Sequence, residues 1–199
     1  MSVSLQKGQR FGLSAEVKDL SKVIVGLGWD EVEQKRGLFG FDPQPIDCDV
    51  SVIMLQDGYL RAQEDLVYYG NLKHPSDSVL HMGDNLTGEG EGDDEQIEIN
   101  LRLVPQRYDR LVIVANIYEA QKRDQHFGMI KNAFIRLVDA RDMREICRFD
   151  LTEDYSGMTA IIMGEVYRHQ GAWKFNAVGQ GTNDPNLTAL CSRYLPKRP

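Results

Sequence analysis

The densest group of potential ligand residues in this chain is an acidic, glycine-rich segment at residues 81–96. It places six carboxylates within twelve residues, from Asp84 to Glu95, without a Lys or Arg among them. Glycines are interspersed with these acids, and glycine tolerates the backbone conformations that turn carbonyl oxygens inward. Carboxylate and carbonyl oxygens in such number are the ligands that a hard divalent cation such as Ca²⁺ prefers. The segment is therefore predicted to bind a cation rather than to form a solvated acidic loop.

The segment does not match the best-known calcium template, the EF-hand. With Asp84 at loop position 1, Glu95 falls at position 12, where an EF-hand carries its bidentate carboxylate. Positions 3 and 5 are Leu86 and Gly88 instead of Asp or Asn, and no amphipathic helix flanks the loop. A phosphate-binding loop is excluded as well, because alternating Glu and Gly would repel a polyphosphate. A different oxygen-rich site is expected.

Further oxygen ligands are expected from segments outside the acidic run. Asp47 and Asp49 are two residues apart and precede a strong predicted strand, so their side chains should point the same way in extended backbone. Asn71 and Asp77 lie in predicted turns, where turn formation is the competing explanation. These residues supply oxygens for one site of roughly seven ligands, and the choice between one and two ions stays open. The candidate ligand set is Asp47, Asp49, Asn71, Asp84, Asn85, Leu86, Gly88, Glu91, Asp93, Asp94 and Glu95.

Composition limits the classes of protein to which this chain can belong. A length of 199 residues is enough for one domain with a sizeable core, and a net charge of −7 makes nucleic acid an unlikely direct partner because phosphate binding relies on Lys and Arg. Three cysteines without Cys-x-x-Cys spacing indicate ordinary reduced thiols rather than disulfides or a zinc site. The N-terminus lacks the apolar stretch of a signal peptide. A cytoplasmic protein is expected.

Short apolar runs separated by Gly, Pro, Asn and Asp predict an all-β fold, a two-sheet β-sandwich with few short helices. The run at residues 111–115 is apolar throughout and predicts a central strand buried on both faces. Helical turns are predicted at residues 118–125 and 187–194. The acidic segment lies between two predicted strands, so it should emerge at one end of the sandwich. The predicted strands are residues 22–27, 49–55, 66–69, 79–82, 96–101, 111–118, 133–138, 145–151, 160–169 and 173–178.

These motifs together resemble the TerD family, the tellurium-resistance and bacterial stress proteins that bind calcium. The acidic segment is the most specific part of the resemblance, which extends from residue 1 to about residue 181. The segments that carry it are MSVSLQKGQ (1–9), VGLGWD (25–30), HMGDNLTGEGEGDDEQ (81–96), NAFIR (132–136), FDL (149–151), GEVYRH (164–169), WKF (173–175) and AVGQG (177–181).

The resemblance implies a β-sandwich with two adjacent calcium sites, built from the acidic segment and nearby residues. The aspartate-rich stretch that precedes a strand in the family corresponds to FDPQPIDCD at residues 41–49. In this stretch Asp47 and Asp49 remain directly before the predicted strand, as in the family. A proline-containing piece separates Asp42 from them, so the resemblance does not assign Asp42 to a site. The C-terminus departs from the family pattern. The domain is therefore predicted at residues 1–181 and a divergent tail at 182–199.

Two functions of different classes follow. The first is a non-enzymatic, calcium-dependent interaction module for proteins of the same stress system or for an anionic membrane face, without direct nucleic-acid binding. The alternative is a hydrolase-like enzyme that uses the bound cation as a Lewis acid, with His81 as the best candidate base. Strand alternation instead favours His81 as a buried strand residue with its hydrogen bonds satisfied.

Overall fold

The computed structural model describes residues 2–31, 44–83 and 93–196, and within these ranges the chain forms twelve strands and three short helices. The strands are β1 (Val3–Leu5), β2 (Arg10–Phe11), β3 (Lys22–Glu31), β4 (Cys48–Leu55), β5 (Leu66–Val67), β6 (Val79–His81), β7 (Glu95–Asn100), β8 (Arg110–Ile117), β9 (Ile130–Asp139), β10 (Arg144–Asp150), β11 (Ala160–His169) and β12 (Ala172–Thr182). The helices are α1 (Leu13–Glu16), α2 (Ala120–Arg123) and α3 (Leu187–Ser192), and 3-10 turns occur at Gln63–Asp65 and Phe127–Met129. None of the helices in these ranges is long and apolar enough to cross a membrane.

The strands form two six-stranded sheets packed face to face, as the sequence predicts. Sheet 1 has the order β1-β10-β9-β3-β7-β6, and sheet 2 has the order β2-β12-β11-β8-β4-β5. Neighbouring strands are antiparallel except β1 and β10, which are parallel. The main core lies between the sheets, and a second apolar cluster lies between the outer face of sheet 2 and α3.

Burial along the strands follows from this arrangement. β7 alternates strictly between buried and half-buried residues, as expected for a strand with one face on the core. β8 is buried almost throughout because it lies between β4 and β11, with its inner face in the main core and its outer face in the cluster beneath α3. The prediction of a central strand buried on both faces is confirmed.

The ten predicted strands and both predicted helical turns are present, with different bounds in places. β3 runs to Glu31 rather than residue 27, with a bulge between Gly28 and Asp30. β5 ends at Val67 because Tyr68 and Asn71 close a turn through reciprocal backbone hydrogen bonds. The sequence analysis missed β1 and β2, which have three and two residues and are too short to show a period of two.

The C-terminal helix packs on the rest of the sandwich. Leu187 and Leu190 of α3 are buried against the outer face of sheet 2, and the Tyr194 C=O accepts a hydrogen bond from the Leu60 N–H at 2.8 Å. The domain boundary placed at residue 181 stays a prediction.

Candidate metal centre

The residues that flank the acidic segment lie at one end of the sandwich, where β4, β7, β9 and β11 begin and β3, β6, β8 and β12 end. We call this the acidic end. The loop that contains Asp47 and the first residues of β4 lie there as well. Of the candidate ligands, Asp84, Asn85, Leu86, Gly88 and Glu91 lie outside the described residues, as does Asp42.

Glu95 connects the two sheets at the acidic end. Its carboxylate is buried and accepts a hydrogen bond from the Val50 N–H at 2.5 Å. This N–H belongs to a part of β4 that β5 does not reach, since β5 pairs only with Val52 and Ile53. A side chain from sheet 1 thus satisfies a backbone donor of sheet 2 that lacks a strand neighbour.

His81 completes the same connection from β6. It is 2% exposed, and its Nε2 lies 3.2 Å from the Val50 carbonyl oxygen and 3.8 Å from the nearer Glu95 carboxylate oxygen. Its Nδ1 accepts a hydrogen bond from the Gly83 N–H at 3.2 Å, so the Nε2–H is the group that donates to Val50. The prediction of a buried strand histidine with satisfied hydrogen bonds is confirmed.

Asp94 lies over the bulge of β3. Its carboxylate accepts a hydrogen bond from the Trp29 N–H at 2.8 Å, and its own N–H donates to the Leu27 carbonyl. Burial raises the pKa of Asp94, and the nearby charges of Asp30 and Asp93 raise it further, against the lowering effect of the Trp29 N–H. A cation beside these carboxylates would relieve their mutual repulsion.

Asp93 turns onto the outer face of sheet 1, whereas Glu95 lies between the sheets and Asp49 on the outer face of sheet 2. One carboxylate oxygen accepts from Arg136 Nε at 2.6 Å and the other accepts from the Gln96 amide at 3.0 Å. The carboxylate lies against Gly26, where a Cβ would overlap it. The ion pair raises the pKa of Arg136. Both oxygens of Asp93 are therefore already engaged within the protein.

Asp49 lies opposite Asn116 on the outer face of sheet 2. The Asn116 amide N–H donates to the Asp49 carboxylate at 3.3 Å, in register across β4 and β8. Asp49 is 3% exposed, and Asp47, two residues earlier, is 8% exposed. The Asp47 carbonyl accepts from the Tyr118 N–H, which fixes the entry of β4. Sequence reasoning missed Asn116, although it is the only amide in the apolar run at residues 111–117.

Asn71 has a local role in the structure. Its side-chain amide donates to the Leu66 carbonyl at 2.7 Å, and its backbone closes the turn with Tyr68. These contacts agree with the turn-forming explanation considered for this residue.

The described candidates point in different directions. Asp93 lies on the outer face of sheet 1, Glu95 between the sheets and Asp49 on the outer face of sheet 2. Within residues 2–31, 44–83 and 93–196, no three His, Cys, Asp or Glu side chains are grouped so that they could hold a metal. The donors at the acidic end are carboxylate and amide oxygens, which fit Ca²⁺ in kind. Asp93, Glu95 and Asn71 hold hydrogen bonds within the protein, and the ligand set stays a prediction.

Comparison with known proteins identifies the family. The TerD domain family matches residues 1–194. The chain is 49% identical to stress response protein SCP2 of Bacillus subtilis (strain 168), over 98% of this chain and 100% of that protein. It is 45% identical to tellurium resistance protein TerD of Serratia marcescens, over 98% of this chain and 97% of that protein.

Solved structures show the same fold. A homologue of telluride resistance protein TerD from Streptomyces coelicolor A3(2) superposes with a TM-score of 0.62 at 19% identity, over 85% of this chain and 98% of that one. A second crystal structure, of a protein of unknown function, superposes with a TM-score of 0.68 at 21% identity, over 90% of this chain and all of that one. On the family match and the close relatives, this chain belongs to the TerD family of tellurium-resistance and stress-response proteins.

Proposed function

We propose that this TerD-family protein is a non-enzymatic calcium-binding module of a stress response, which contacts a partner protein or an anionic membrane face through its acidic end. The observation that carries the proposal is the position of the described residues on either side of the acidic segment. They lie at the end of β6 and the start of β7, and Asp47, Asp49 and Asp94 supply partly or fully buried carboxylates at the same end of the sandwich.

Charge supports a cation at this end. Residues 74–101 contain eight Asp or Glu and no Lys or Arg, whereas the whole chain has a net charge of −7. Three of these eight acids form ion pairs among the described residues: Asp77 with Lys73, Glu98 with Lys22 and Asp93 with Arg136. Calcium held by Asp47, Asp49 and Asp94 together with oxygens of residues 84–92 would neutralise the remaining charge of the acidic segment and could also bind a phosphate or carboxylate oxygen of a partner.

The contacts of His81 favour a binding role over the hydrolase alternative. A general base must reach a substrate proton directly or through one water. Both ring nitrogens of His81 are instead engaged with backbone groups, and the ring is buried between the sheets. His81 therefore serves to join β6 to β4 in the proposed function.

Calcium binding is tested by the thermal midpoint of chelator-stripped protein with and without calcium. At a free calcium concentration about 100-fold above Kd, each site adds about 2.7 kcal/mol to the free energy of unfolding. For a chain of this length the midpoint should rise by about 5–10 °C per site. Asp49→Asn and Asp94→Asn should each reduce this rise.

Asp57→Asn is the matched control. Asp57 lies at the opposite end of the sandwich, in the turn after β4, and its φ of 53° is one that Asn tolerates. This variant should keep the full calcium response. If Asp49→Asn and Asp94→Asn respond to calcium as fully as Asp57→Asn, the proposed ligand assignment is wrong.

The interaction role has its own test, co-sedimentation with vesicles containing phosphatidylserine and with neutral vesicles, in calcium and in chelator. The proposal predicts that any membrane binding requires both calcium and the anionic lipid. Binding that is equally strong in chelator would contradict a calcium-dependent contact.

A further inference from the structure

A large cavity lies on the outer face of sheet 2, beside α3. Its volume is about 890 Å³, within the range of sites that bind small organic molecules. Its sides are formed by α3 and the residues next to it, by residues 116–122 at the end of β8, and by residues 60–69, which lead through β5. The cavity therefore has room for an organic ligand between three segments of the chain.

Hydrogen bonds hold the α3 side of the cavity against the sandwich. Asp184 accepts two hydrogen bonds from Arg193, at 2.6 and 3.2 Å, and its carbonyl accepts from the Thr159 hydroxyl at 2.7 Å. The Leu60 N–H donates to the Tyr194 carbonyl at 2.8 Å, which ties α3 to the opposite wall. The cavity is thus part of the folded domain.

Apolar side chains make up much of the lining, and some of them are open to solvent. Leu195 is 51% exposed, Tyr69 is 41% exposed and Tyr118 is 38% exposed. The rings of Tyr69 and Tyr118 meet edge to face, with centroids 6.4 Å apart. An apolar chain that lay along these side chains would remove their surface and its own from water. The buried or half-buried apolar residues of the lining are Leu60, Leu66, Ile117, Leu187 and Cys191.

The charges of the lining favour an anion, although the chain as a whole has a net charge of −7. Glu119 is the only acidic residue that lines the cavity. Lys122 donates to both of its carboxylate oxygens, at 3.0 and 2.9 Å, so this pair carries no net charge. Arg61 is the remaining cation of the lining, and it is exposed. One positive charge is therefore available at the edge of an apolar cavity.

Arg61 is positioned to bind a carboxylate. Its guanidinium carbon lies 5.0 Å from the centroid of the Tyr59 ring, and it forms no ion pair with a residue that the structure describes. Stacking on a ring uses the flat face of a guanidinium and leaves the N–H groups at its edge available. These N–H groups form a planar fork that matches the two oxygens of a carboxylate.

We infer that this cavity binds a monocarboxylate with an apolar chain, the chemistry of a fatty acid. The chain lies along the apolar lining between α3 and residues 60–69, and the carboxylate binds Arg61. The cavity also touches the proposed calcium site, because Asn116 lines it and donates to the proposed ligand Asp49. Binding is therefore measured in chelator, where the result does not depend on whether calcium binds.

The test compares hexanoate, octanoate and decanoate, each below the concentration at which it forms micelles. Binding is followed by amide shifts of the isotopically labelled full-length protein. Octanoate should bind in the millimolar range, as its size allows, with one molecule bound at saturation. Affinity should rise about tenfold for each two methylenes added, since each buries more apolar surface. Octanamide, a neutral molecule of nearly the same shape, should bind about fivefold more weakly than octanoate.

Variants locate the carboxylate and the chain. Arg61→Gln should weaken octanoate binding about fivefold and remove the preference for octanoate over octanamide. Arg102→Gln is its matched control, because Arg102 is exposed and does not line the cavity. Leu195→Ser should weaken binding about threefold, whereas Leu103→Ser should leave it unchanged. Leu103 is 48% exposed and lies outside the cavity.

Four results would overturn the inference. They are no saturable octanoate binding at millimolar concentration, an affinity that does not grow with chain length, equal affinity for octanoate and octanamide in the unsubstituted protein, and equal affinity of Arg61→Gln and Arg102→Gln for octanoate. The ligand comparisons in the unsubstituted protein keep the test valid if a variant does not fold.

Discussion

Replacing Glu95 by Leu should destabilise the protein even when calcium is absent. The substitution introduces an apolar side chain of similar size and removes the acceptor of the Val50 N–H, whose nitrogen lies 2.5 Å from the carboxylate oxygen. A buried donor left without a partner costs about 1–3 kcal/mol. We expect the free energy of unfolding to fall by about 2 kcal/mol, which corresponds to about 4–8 °C in the thermal midpoint of a chain of this length.

Glu95→Gln separates the hydrogen bond from the charge. The amide oxygen of Gln can still accept from Val50, so only the additional strength of a charged acceptor is lost. The expected loss is about 1 kcal/mol. Glu98→Gln, on the same strand, is the matched control, since the Glu98 ion pair with Lys22 is partly exposed and should contribute less than about 1 kcal/mol.

The assay is thermal unfolding followed by circular dichroism, performed in chelator and again in saturating calcium. The sheet-bridging role of Glu95 predicts the same loss in both conditions. A Glu95→Leu variant as stable as the unsubstituted protein in chelator, with a loss only in calcium, would refute this reasoning and make Glu95 a metal ligand.

Three further predictions concern the rest of the fold. Gly26→Ala should lower the free energy of unfolding by about 2 kcal/mol, because the new methyl group overlaps the Asp93 carboxylate. The midpoint of urea unfolding should fall accordingly, and an unchanged midpoint would contradict this placement of Asp93. Burial lowers the pKa of His74 below its ordinary value of 6.5, so its contribution to stability is complete above about pH 6.5 and is lost as the pH falls below that value. The thermal midpoint should therefore drop between pH 7.5 and 5.5, and drop less in His74→Gln; equal drops would be evidence against the prediction. Burial raises the pKa of the Cys147 thiol to about 12 and that of Cys191 to about 11, so both should react with a disulfide reagent only on unfolding; rapid reaction of the folded protein would show otherwise.

The sequence was sufficient to predict ten of the twelve described strands and the end of the sandwich at which the residues flanking the acidic segment lie. Alternation in β7 and the apolar run of β8 reflect one-sided and two-sided burial, which are properties of single strands. Placing the acidic segment at one end of the sandwich required only that it connect two strands.

The direction of each acidic side chain could not be predicted in the same way. Asp93 and Glu95 are two residues apart, yet Asp93 lies on the outer face of sheet 1 and Glu95 bridges to β4. The partners that decide this, Arg136 and Val50, are each more than 40 residues away in the chain. Gly26 lies within β3 and leaves the space that Asp93 occupies, a contact that no local pattern in the sequence indicates.

The cavity beside α3 was not expected from the sequence, in which Tyr68 and Tyr69 fall within a predicted strand. Their alignment with Tyr118 depends on the pairing of β4 with both β5 and β8. No local pattern reports such an arrangement, because the contacting residues come from three separate segments.

Calorimetric titration of chelator-stripped, full-length protein with calcium tests the central claim most directly, with magnesium as the control ion. The proposed function predicts about two equivalents of calcium bound, and much weaker binding of magnesium, which demands stricter octahedral geometry. No heat of calcium binding, or an equal response to both ions, would contradict a calcium site at the acidic end.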